Sequence, residues 1–153
     1  MVDAPASRFD PYKNFKFRVQ WDGRVVAGVS HIGALRRNTD VLEHREGGEP
    51  SSSHKLPGLT RYAPIVLKRG VTSDHAFEQW ANEVYKLNGT PDLAHFRKDV
   101  VIELLDDAGN TLLRYAVHQC WVSEYDALPD LDADTDAIAF ESITLENEGW
   151  ERV

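Results

Sequence analysis

The acidic run near the carboxyl end has the spacing most suggestive of chemistry. A calcium-binding loop carries oxygen ligands at its first, third, fifth, seventh and twelfth positions. Here those positions hold Asp130, Asp132, Asp134, Asp136 and Glu141. Thr135 stands at the sixth position, where the sharp turn needs glycine, and Pro129 with a following strand pattern leaves no flanking helices. The run is therefore predicted to be a solvated acidic turn.

Histidine, cysteine and serine side chains give no firmer chemistry. None of the histidines forms a pair at helical metal spacing, and the single cysteine has no neighbouring cysteine, so no zinc site is predicted. These residues are His31, His44, His54, His75, His95, His118 and Cys120. Serines precede His31 and His54, but a nucleophile also needs a base and an orienting acid on rigid elements. The sequence predicts no catalytic, cofactor or metal residues and no enzyme, with a hydrolase around His31 or His54 as a third alternative.

Glycine pairs and tryptophans also suit structural roles. Gly47-Gly48 and Pro57-Gly58 lack the context of a nucleotide-binding loop, so they are predicted to be hinges. The tryptophans could stack on sugars, but their positions on a helix, on strands and at a hairpin corner favour packing in a core or an interface. A small β-rich module that uses Trp21, Trp121 or Trp150 to bind a carbohydrate or peptide stays open as an alternative.

The composition is that of one ordinary globular domain. The chain has 153 residues, 42% hydrophobic and 27% charged, which excludes a disordered or fibrous protein. Its net charge of −8 opposes general nucleic-acid binding, which needs clustered lysine and arginine. Residues 1–76 hold 12 Lys and Arg against 8 Asp and Glu, whereas residues 77–153 hold 5 against 17. Two halves of opposite net charge are a source of the unlike surfaces that meet in a head-to-tail assembly.

The chain has no pattern typical of secretion or membrane insertion. Cys120 is the only cysteine, so no intrachain disulfide is possible. The first nine residues include Asp3, Pro5 and Ser7 and have no apolar core, and no later stretch has membrane-spanning length. We expect synthesis in the cytoplasm without a signal peptide or a membrane anchor.

Strand patterns dominate the first third of the chain. Apolar and polar side chains alternate over residues 15–21, which predicts a half-buried strand. Asp22-Gly23 then suits a tight turn, and a returning strand is predicted over residues 24–35. Residues 38–59 are polar and rich in glycine, proline and serine, so they are predicted to form a long loop or a protruding hairpin. Long connections in compact domains are uncommon and usually functional.

The remaining elements are further strands and one helix. A strand is predicted over residues 62–69, followed by a helix of roughly 12–14 residues, with capping groups in residues 72–74 and a stop at 88–91. A hairpin is predicted from residues 99–106 and 112–125, and a last strand over 137–146 with a bulge or a change of partner surface between Phe140 and Ile143. The fold class is α+β and mainly β, an antiparallel β-sandwich or barrel-like domain with one helix.

In this order, the motifs resemble those of the tail tube proteins of contractile phages and of extracellular contractile injection systems. The resemblance is carried by residues 10–19 (DPYKNFKFRV), 43–48 (EHREGG), 55–58 (KLPG), 65–70 (IVLKRG), 99–106 (DVVIELLD), the Trp121 strand, and 138–149 (IAFESITLENEG). These segments span nearly the whole chain, so the resemblance implies one tail-tube domain over residues 1–153, with a long assembly loop at about 40–59.

The resemblance implies a structural subunit that forms hexameric rings around a β-barrel lumen and stacks them head to tail into a tube. The implied partners are other copies of the chain, a sheath protein, baseplate and spike proteins, tube-terminating proteins, and a protein or DNA cargo in the lumen. The tube would belong to a phage tail or a phage-tail-like particle that works inside or outside the cell. The residues implied to bridge successive rings are Arg45, Glu46, Gly47, Gly48, Glu49, Lys55, Leu56, Pro57 and Gly58.

Two alternatives stay open beside the main tube subunit. A baseplate-proximal tube initiator or adapter would share these motifs and would form one ring. The small β-rich binding module would be a monomer with a concave aromatic pocket.

Overall fold

The computed structural model describes residues 16–45, 47–48, 53–85, 95–134 and 138–153. Their strands are β1 (Lys16–Trp21), β2 (Arg24–Val25), β3 (Val29–Ile32), β4 (Arg37–His44), β5 (His54–Tyr62), β6 (Ile65–Gly70), β7 (Lys98–Leu105), β8 (Thr111–Asp126), β9 (Phe140–Glu146) and β10 (Trp150–Arg152). A helix, α1 (Ala76–Val84), lies between β6 and β7. The predicted fold class, mainly antiparallel β with one helix, is confirmed.

The long strand β8 belongs to two sheets. Its first half pairs with β7 on one side and β10 on the other, and β7 continues to β1 and β2. Its second half pairs with β9, which continues to β6 and β3. Gln119 marks the change with φ 54°, a left-handed conformation that is uncommon outside glycine. The backbone N–H of Gln119 donates a hydrogen bond to the Asp99 carboxylate at 3.0 Å, so this bent part of the backbone keeps a hydrogen-bond partner.

The core lies between the two sheets and the helix. Trp21 of β1 packs against Trp80 of α1 with ring centroids 4.7 Å apart, and Trp80 also donates its indole N–H to the Phe96 carbonyl. Phe77 lies one helical turn before Trp80 and is fully buried, so the three-residue spacing places both rings on the sheet-facing side. Fully or almost fully buried aliphatic side chains from both sheets complete the core: Val19, Val100, Val117, Ile65, Leu67, Ile143 and Leu145.

The helix is shorter than its pattern predicts. It has nine residues and ends at Val84, because Tyr85 takes an extended conformation with φ −133° and ψ 121°. His75 occupies the N-cap position without a side-chain cap. Of the predicted capping groups, the Asp74 carboxylate binds Arg69 of β6 and also accepts a hydrogen bond from the Ala76 backbone N–H at the start of the helix. Leu87 and the predicted stop at 88–91 lie outside the described residues.

The predicted returning strand over residues 24–35 is wrong as one element. The turn at Asp22 and Gly23 has the expected positive φ angles of 54° and 74°, but only Arg24 and Val25 return along β1. The chain then crosses at Gly28, whose φ of 76° suits glycine, and β3 joins the other sheet beside β6. The pattern could not show this crossing, because aliphatic residues on both sides of Gly28 pack in the same core: Val26 before it, and Val29 and Ile32 after it.

The predicted bulge in the last strand is also misplaced. β9 pairs with β6 without interruption from Leu145 to Phe140, and the register shift lies in β8, between Val122 and Glu124. The apolar alternation of β9 only looked broken because its buried face includes Glu141. The strand β10 was not predicted, since three residues are too few to show a period.

Candidate assembly surfaces

Strands β4 and β5 form a hairpin that stands apart from both sheets. We call residues 37–62 the assembly hairpin. Its two strands pair only with each other among the described residues, and every described strand residue is exposed except Asp40, Gly58 and Tyr62. The predicted protruding hairpin is therefore present. A two-stranded hairpin without a covered face is marginal by itself, so this element needs a contact with another surface.

A bulge in β5 shapes the assembly hairpin. Thr39 pairs with Thr60 and Val41 with Pro57, so one residue of β4 faces two residues of β5. A side chain at Gly58 would meet Leu42 and Asp40 at 3.1–3.3 Å, so the close approach of the two strands there requires glycine.

The base of the assembly hairpin rests on an aromatic cluster. Trp150 of β10 meets Tyr62 edge to face at 5.7 Å and Tyr115 at 5.9 Å, and the Arg37 guanidinium lies 5.7 Å from the Trp150 ring. Gly149 has φ 137°, and a side chain there would come within 3.3 Å of the Tyr62 ring. These contacts set the direction in which the hairpin leaves the sheets.

The residues predicted to bridge rings fall into two parts of this hairpin. Arg45, Gly47 and Gly48 lie at the tip, and Lys55, Leu56, Pro57 and Gly58 lie within β5. Of the two predicted forms, a long loop or a protruding hairpin, the second group has the hairpin form, since it pairs with β4 except at the bulge. Glu46 and Glu49 lie outside the described residues.

Both sheets end in strands that have a free side among the described residues. The sheet path terminates at the short strands β2 and β3, and β2 covers β1 only at Gln20 and Trp21. Lys16, Phe17 and Arg18 therefore have a ladder partner only in β7. Such edges bind further strands readily, which is a hazard for a monomer and a means of closure for an oligomer.

A buried carboxylate organises the outer face of the β1–β7–β8 sheet. Arg18, Glu103 and Arg114 stand in one row across the three strands. Glu103 is fully buried and accepts hydrogen bonds from Arg18 Nε at 2.9 Å, Thr111 Oγ1 at 2.9 Å and Arg114 Nη2 at 3.2 Å, with Gln20 as a further donor. The hydrogen bond from Arg18, helped by those from Thr111 and Arg114, lowers the pKa of Glu103 to about 2.

Replacing Glu103 by glutamine should destabilise the fold by about 1.5–3 kcal/mol at pH 7, the usual range for hydrogen bonds to a charged group. Because the folded pKa of Glu103 is depressed, its contribution is present above about pH 4.5 and is lost as the pH falls toward 2. Urea unfolding of the unassembled chain at pH 7 and pH 3 measures both effects. Asp107→Asn, in an exposed turn, is the matched control and should change little. Equal losses for the two variants would contradict the prediction.

A second buried charge group connects β6, β9 and the start of the helix. The fully buried Arg69 donates to Glu141 Oε1 at 2.5 Å, to Asp74 Oδ2 and the Asp74 carbonyl at 2.8 Å each, and to the Ala27 carbonyl at 3.2 Å. Its guanidinium also lies 4.3 Å from the Phe77 ring. The arginine thus holds the helix start, the β2–β3 crossing and β9 together, and sequence patterns gave no sign of it.

The acidic run does not form a calcium site in the described residues. Glu141 points into the core toward Arg69, and the backbone N–H of Asp134 donates to the Asp132 carboxylate in a local turn. Asp136 lies outside the described residues. Across residues 16–45, 47–48, 53–85, 95–134 and 138–153, no group of three or more His, Cys, Asp and Glu side chains is arranged to hold a metal ion.

The other candidate chemical groups are dispersed. His31 lies in β3 and His54 in β5, in different sheets. Cys120 is buried, and its burial raises the pKa of the thiol to about 12, so it is a poor nucleophile. Trp21 packs in the core, and Trp121 meets Phe96 edge to face at 6.0 Å. No helix in the described part of the chain has the length and apolar character to span a bilayer.

The structure reveals one exposed surface that the sequence patterns did not single out. Leu128, Leu131, Ile138 and Phe140 lie around the end of β8 and the start of β9, and all four are exposed. We call these four residues the distal patch. The apolar residues within and beside the acidic run are a sequence signal for such a surface, but the calcium-like spacing of the aspartates led only to a prediction about the carboxylates.

Solved structures of contractile injection systems contain chains with this fold. A chain of the extracellular contractile injection system PVC, in a sheath–tube complex in the extended state, aligns with a TM-score of 0.79 and 24% identity, over 97% of this chain and 95% of that chain. A chain from the anti-feeding prophage cap (AFP tube terminating cap) gives 0.78 and 26%, over 96% and 93%. Hcp1 from Flavobacterium johnsoniae gives 0.58 and 14%, over 89% and 93%.

The family model of the T4-like virus tail tube protein gp19 matches residues 13–151. The chain belongs to this family and is a tail tube protein of the kind found in phage tails and contractile injection systems. No curated protein matches significantly. The predicted family is therefore confirmed, on segments distributed along almost the whole chain.

Proposed function

We propose that this chain is the main subunit of the inner tube, and that residues 1–153 act as one domain that forms hexameric rings and stacks them head to tail. The observation that carries the proposal is the exposed assembly hairpin, which pairs with nothing else in the described chain. A two-stranded element without a covered face gains packing when it contacts a neighbouring ring. The free sides of β1 and β3 supply edges for closing the ring around a lumen.

The partners and chemistry follow from this role. The similar PVC chain comes from a sheath–tube complex, and the similar anti-feeding prophage chain from a tube-terminating cap. We therefore propose that a sheath surrounds this tube and that terminating and baseplate or spike proteins close its ends. A protein or DNA cargo would pass through the lumen. The subunit would act without catalysis or a cofactor.

Electron microscopy of the purified chain tests the proposal. The main tube subunit should form long hollow cylinders without other proteins. Single rings would favour the alternative of a tube initiator, adapter or terminating ring. The similarity to a chain from the tube-terminating cap supports that alternative. A monomer in light scattering at all concentrations would overturn the proposal and favour the small binding module.

Tube growth should weaken as salt rises. The two halves of the sequence carry opposite net charge, and attraction between unlike surfaces falls as the Debye length shortens from about 10 Å at 0.1 M salt to about 3 Å at 1 M. Sedimentation of assembled protein from 0.05 to 1 M sodium chloride measures the effect. Tube lengths that do not change across this series would rule out a charge contribution to stacking.

A further inference from the structure

Exposed large hydrophobic residues of the described chain concentrate in two places. Twelve such residues are exposed, and eight of them divide equally between the assembly hairpin and the distal patch. The hairpin residues are Val41, Leu42, Leu56 and Leu59, and the patch residues are Leu128, Leu131, Ile138 and Phe140. Contiguous apolar surface on a protein of this size usually marks an interaction site.

The two surfaces lie at opposite ends of the β6–β9 sheet. The assembly hairpin ends at Tyr62, just before β6 begins at Ile65. At the other end of β6, Gly70 pairs with Phe140 of the distal patch. Six strand residues at about 3.4 Å each separate the two ends by roughly 20 Å. One subunit therefore presents the hairpin at one end and the patch at the other.

The distal patch is shaped to receive side chains. Two adjoining clefts of about 430 and 480 Å³ share Pro129, Asp130 and Phe140 in their walls, and the patch residues line them. Either volume accommodates several aliphatic side chains. Leu42 and Leu56 are directly paired across the assembly hairpin, so their side chains share one face and form a compact apolar projection.

Charge and symmetry favour a hairpin-to-patch contact over a contact of two patches or of two hairpins. The clefts carry Asp126, Asp130 and Asp132, with Lys68 as the one cation among the described residues that line them, so two patches would repel each other. The sequence of the assembly hairpin has four cations and four carboxylates, so it brings no net negative charge to the aspartates. A contact of two hairpins would be isologous and would stop at a pair, whereas a hairpin-to-patch contact repeats without limit.

We propose that the assembly hairpin of one subunit docks on the distal patch of a subunit in the next ring, with Leu42 and Leu56 entering the clefts. This inference rests on the proposed tube function and adds the receiving surface to it. The contact covers both exposed apolar surfaces at once and gives the marginal hairpin the packing that it lacks alone.

Disulfide trapping in assembled protein tests the contact. Leu56→Cys and Ile138→Cys in one chain should give, after mild oxidation, covalent oligomers longer than dimers, because each subunit would bond to one neighbour at each end. The native Cys120 gives little background, because it is buried and its thiol is unreactive. Leu56→Cys with Val25→Cys, an exposed residue outside the patch, is the matched control and should stay monomeric. Since cross-linking requires Cα atoms within about 7 Å, Leu42→Cys and Leu128→Cys provide a second pair.

A surface substitution provides a second measurement. Leu131→Asp should leave rings and thermal stability unchanged, because this side chain is 69% exposed, but it should abolish long tubes. Bonds only between two Leu56→Cys residues, or tubes of normal length from Leu131→Asp without trapping at the patch, would overturn the proposed contact and leave the tube function standing. Failure of the unmodified chain to form rings or tubes would instead overturn the tube function itself.

Discussion

Replacing Arg69 by methionine should lower the free energy of unfolding by about 3–5 kcal/mol, the usual cost of removing one partner from a buried ion pair. The substitution leaves the Glu141 carboxylate buried without its partner and removes the bonds to Asp74 and the Ala27 carbonyl. A domain is typically stable by only 5–15 kcal/mol, so poor folding at 37 °C is expected. Urea unfolding monitored by tryptophan fluorescence measures the loss.

The controls for Arg69 separate buried from exposed pairing. Arg61→Met also removes an arginine–carboxylate ion pair, in which Arg61 Nη1 contacts both oxygens of Asp40. Because the Arg61 side chain is 62% exposed, at most about 1 kcal/mol of unfolding free energy should be lost. The double variant Arg69→Met, Glu141→Leu should recover part of the loss, because it no longer buries an unpaired charge. If Arg69→Met cost no more than Arg61→Met, the bridging role assigned to Arg69 would be wrong.

Shortening the assembly hairpin should abolish long tubes while the subunit still folds. Thr39 and Thr60 pair directly, so replacing residues 40–59 by Asn-Gly closes the strands with a two-residue turn and keeps the base. The melting temperature should change little, because the described residues that are removed have their strand pairing within the hairpin and not with either sheet. Electron microscopy should then show single rings or unassembled subunits.

A smaller change to the same hairpin serves as its control. Gly47→Ser with Gly48→Ser alters the tip and keeps all of β4 and β5, so tubes should still form if the strands make the contact. Long tubes from the shortened variant would exclude the proposed bridging role. A large fall in its melting temperature would show that the hairpin supports the subunit fold instead.

The strand β1 was predictable because its apolar and polar residues alternate, and the β7–β8 hairpin because two segments rich in apolar residues flank a turn sequence. All three strands lie close to their predicted bounds. The crossing at Gly28 was not predictable, because the choice of partner sheet depends on tertiary packing that leaves the local pattern unchanged. Glu141 misled the prediction of β9, since a buried charge at a core position is read as a break unless its partner is known.

The assembly surfaces were predicted only in part. The composition of residues 38–59 predicted a long loop or a protruding hairpin, and the assembly hairpin is present, but the composition indicated neither the register of its strands nor the bulge at Gly58. The distal patch depends on residues on either side of an acidic turn, brought together only by the pairing of β8 with β9. Their proximity has no sequence period that could reveal it.

The contact between Gly149 and Tyr62 acts as a joint between the hairpin and the sheets. A side chain at Gly149 would press on the Tyr62 ring at 3.3 Å, so the base of the assembly hairpin would have to shift. In a polymer every copy carries the same shift, and the errors of successive rings add. A substitution at this glycine would therefore change the pitch and straightness of the whole filament. The contact between Gly149 and Tyr62 thus sets the helical twist between successive rings.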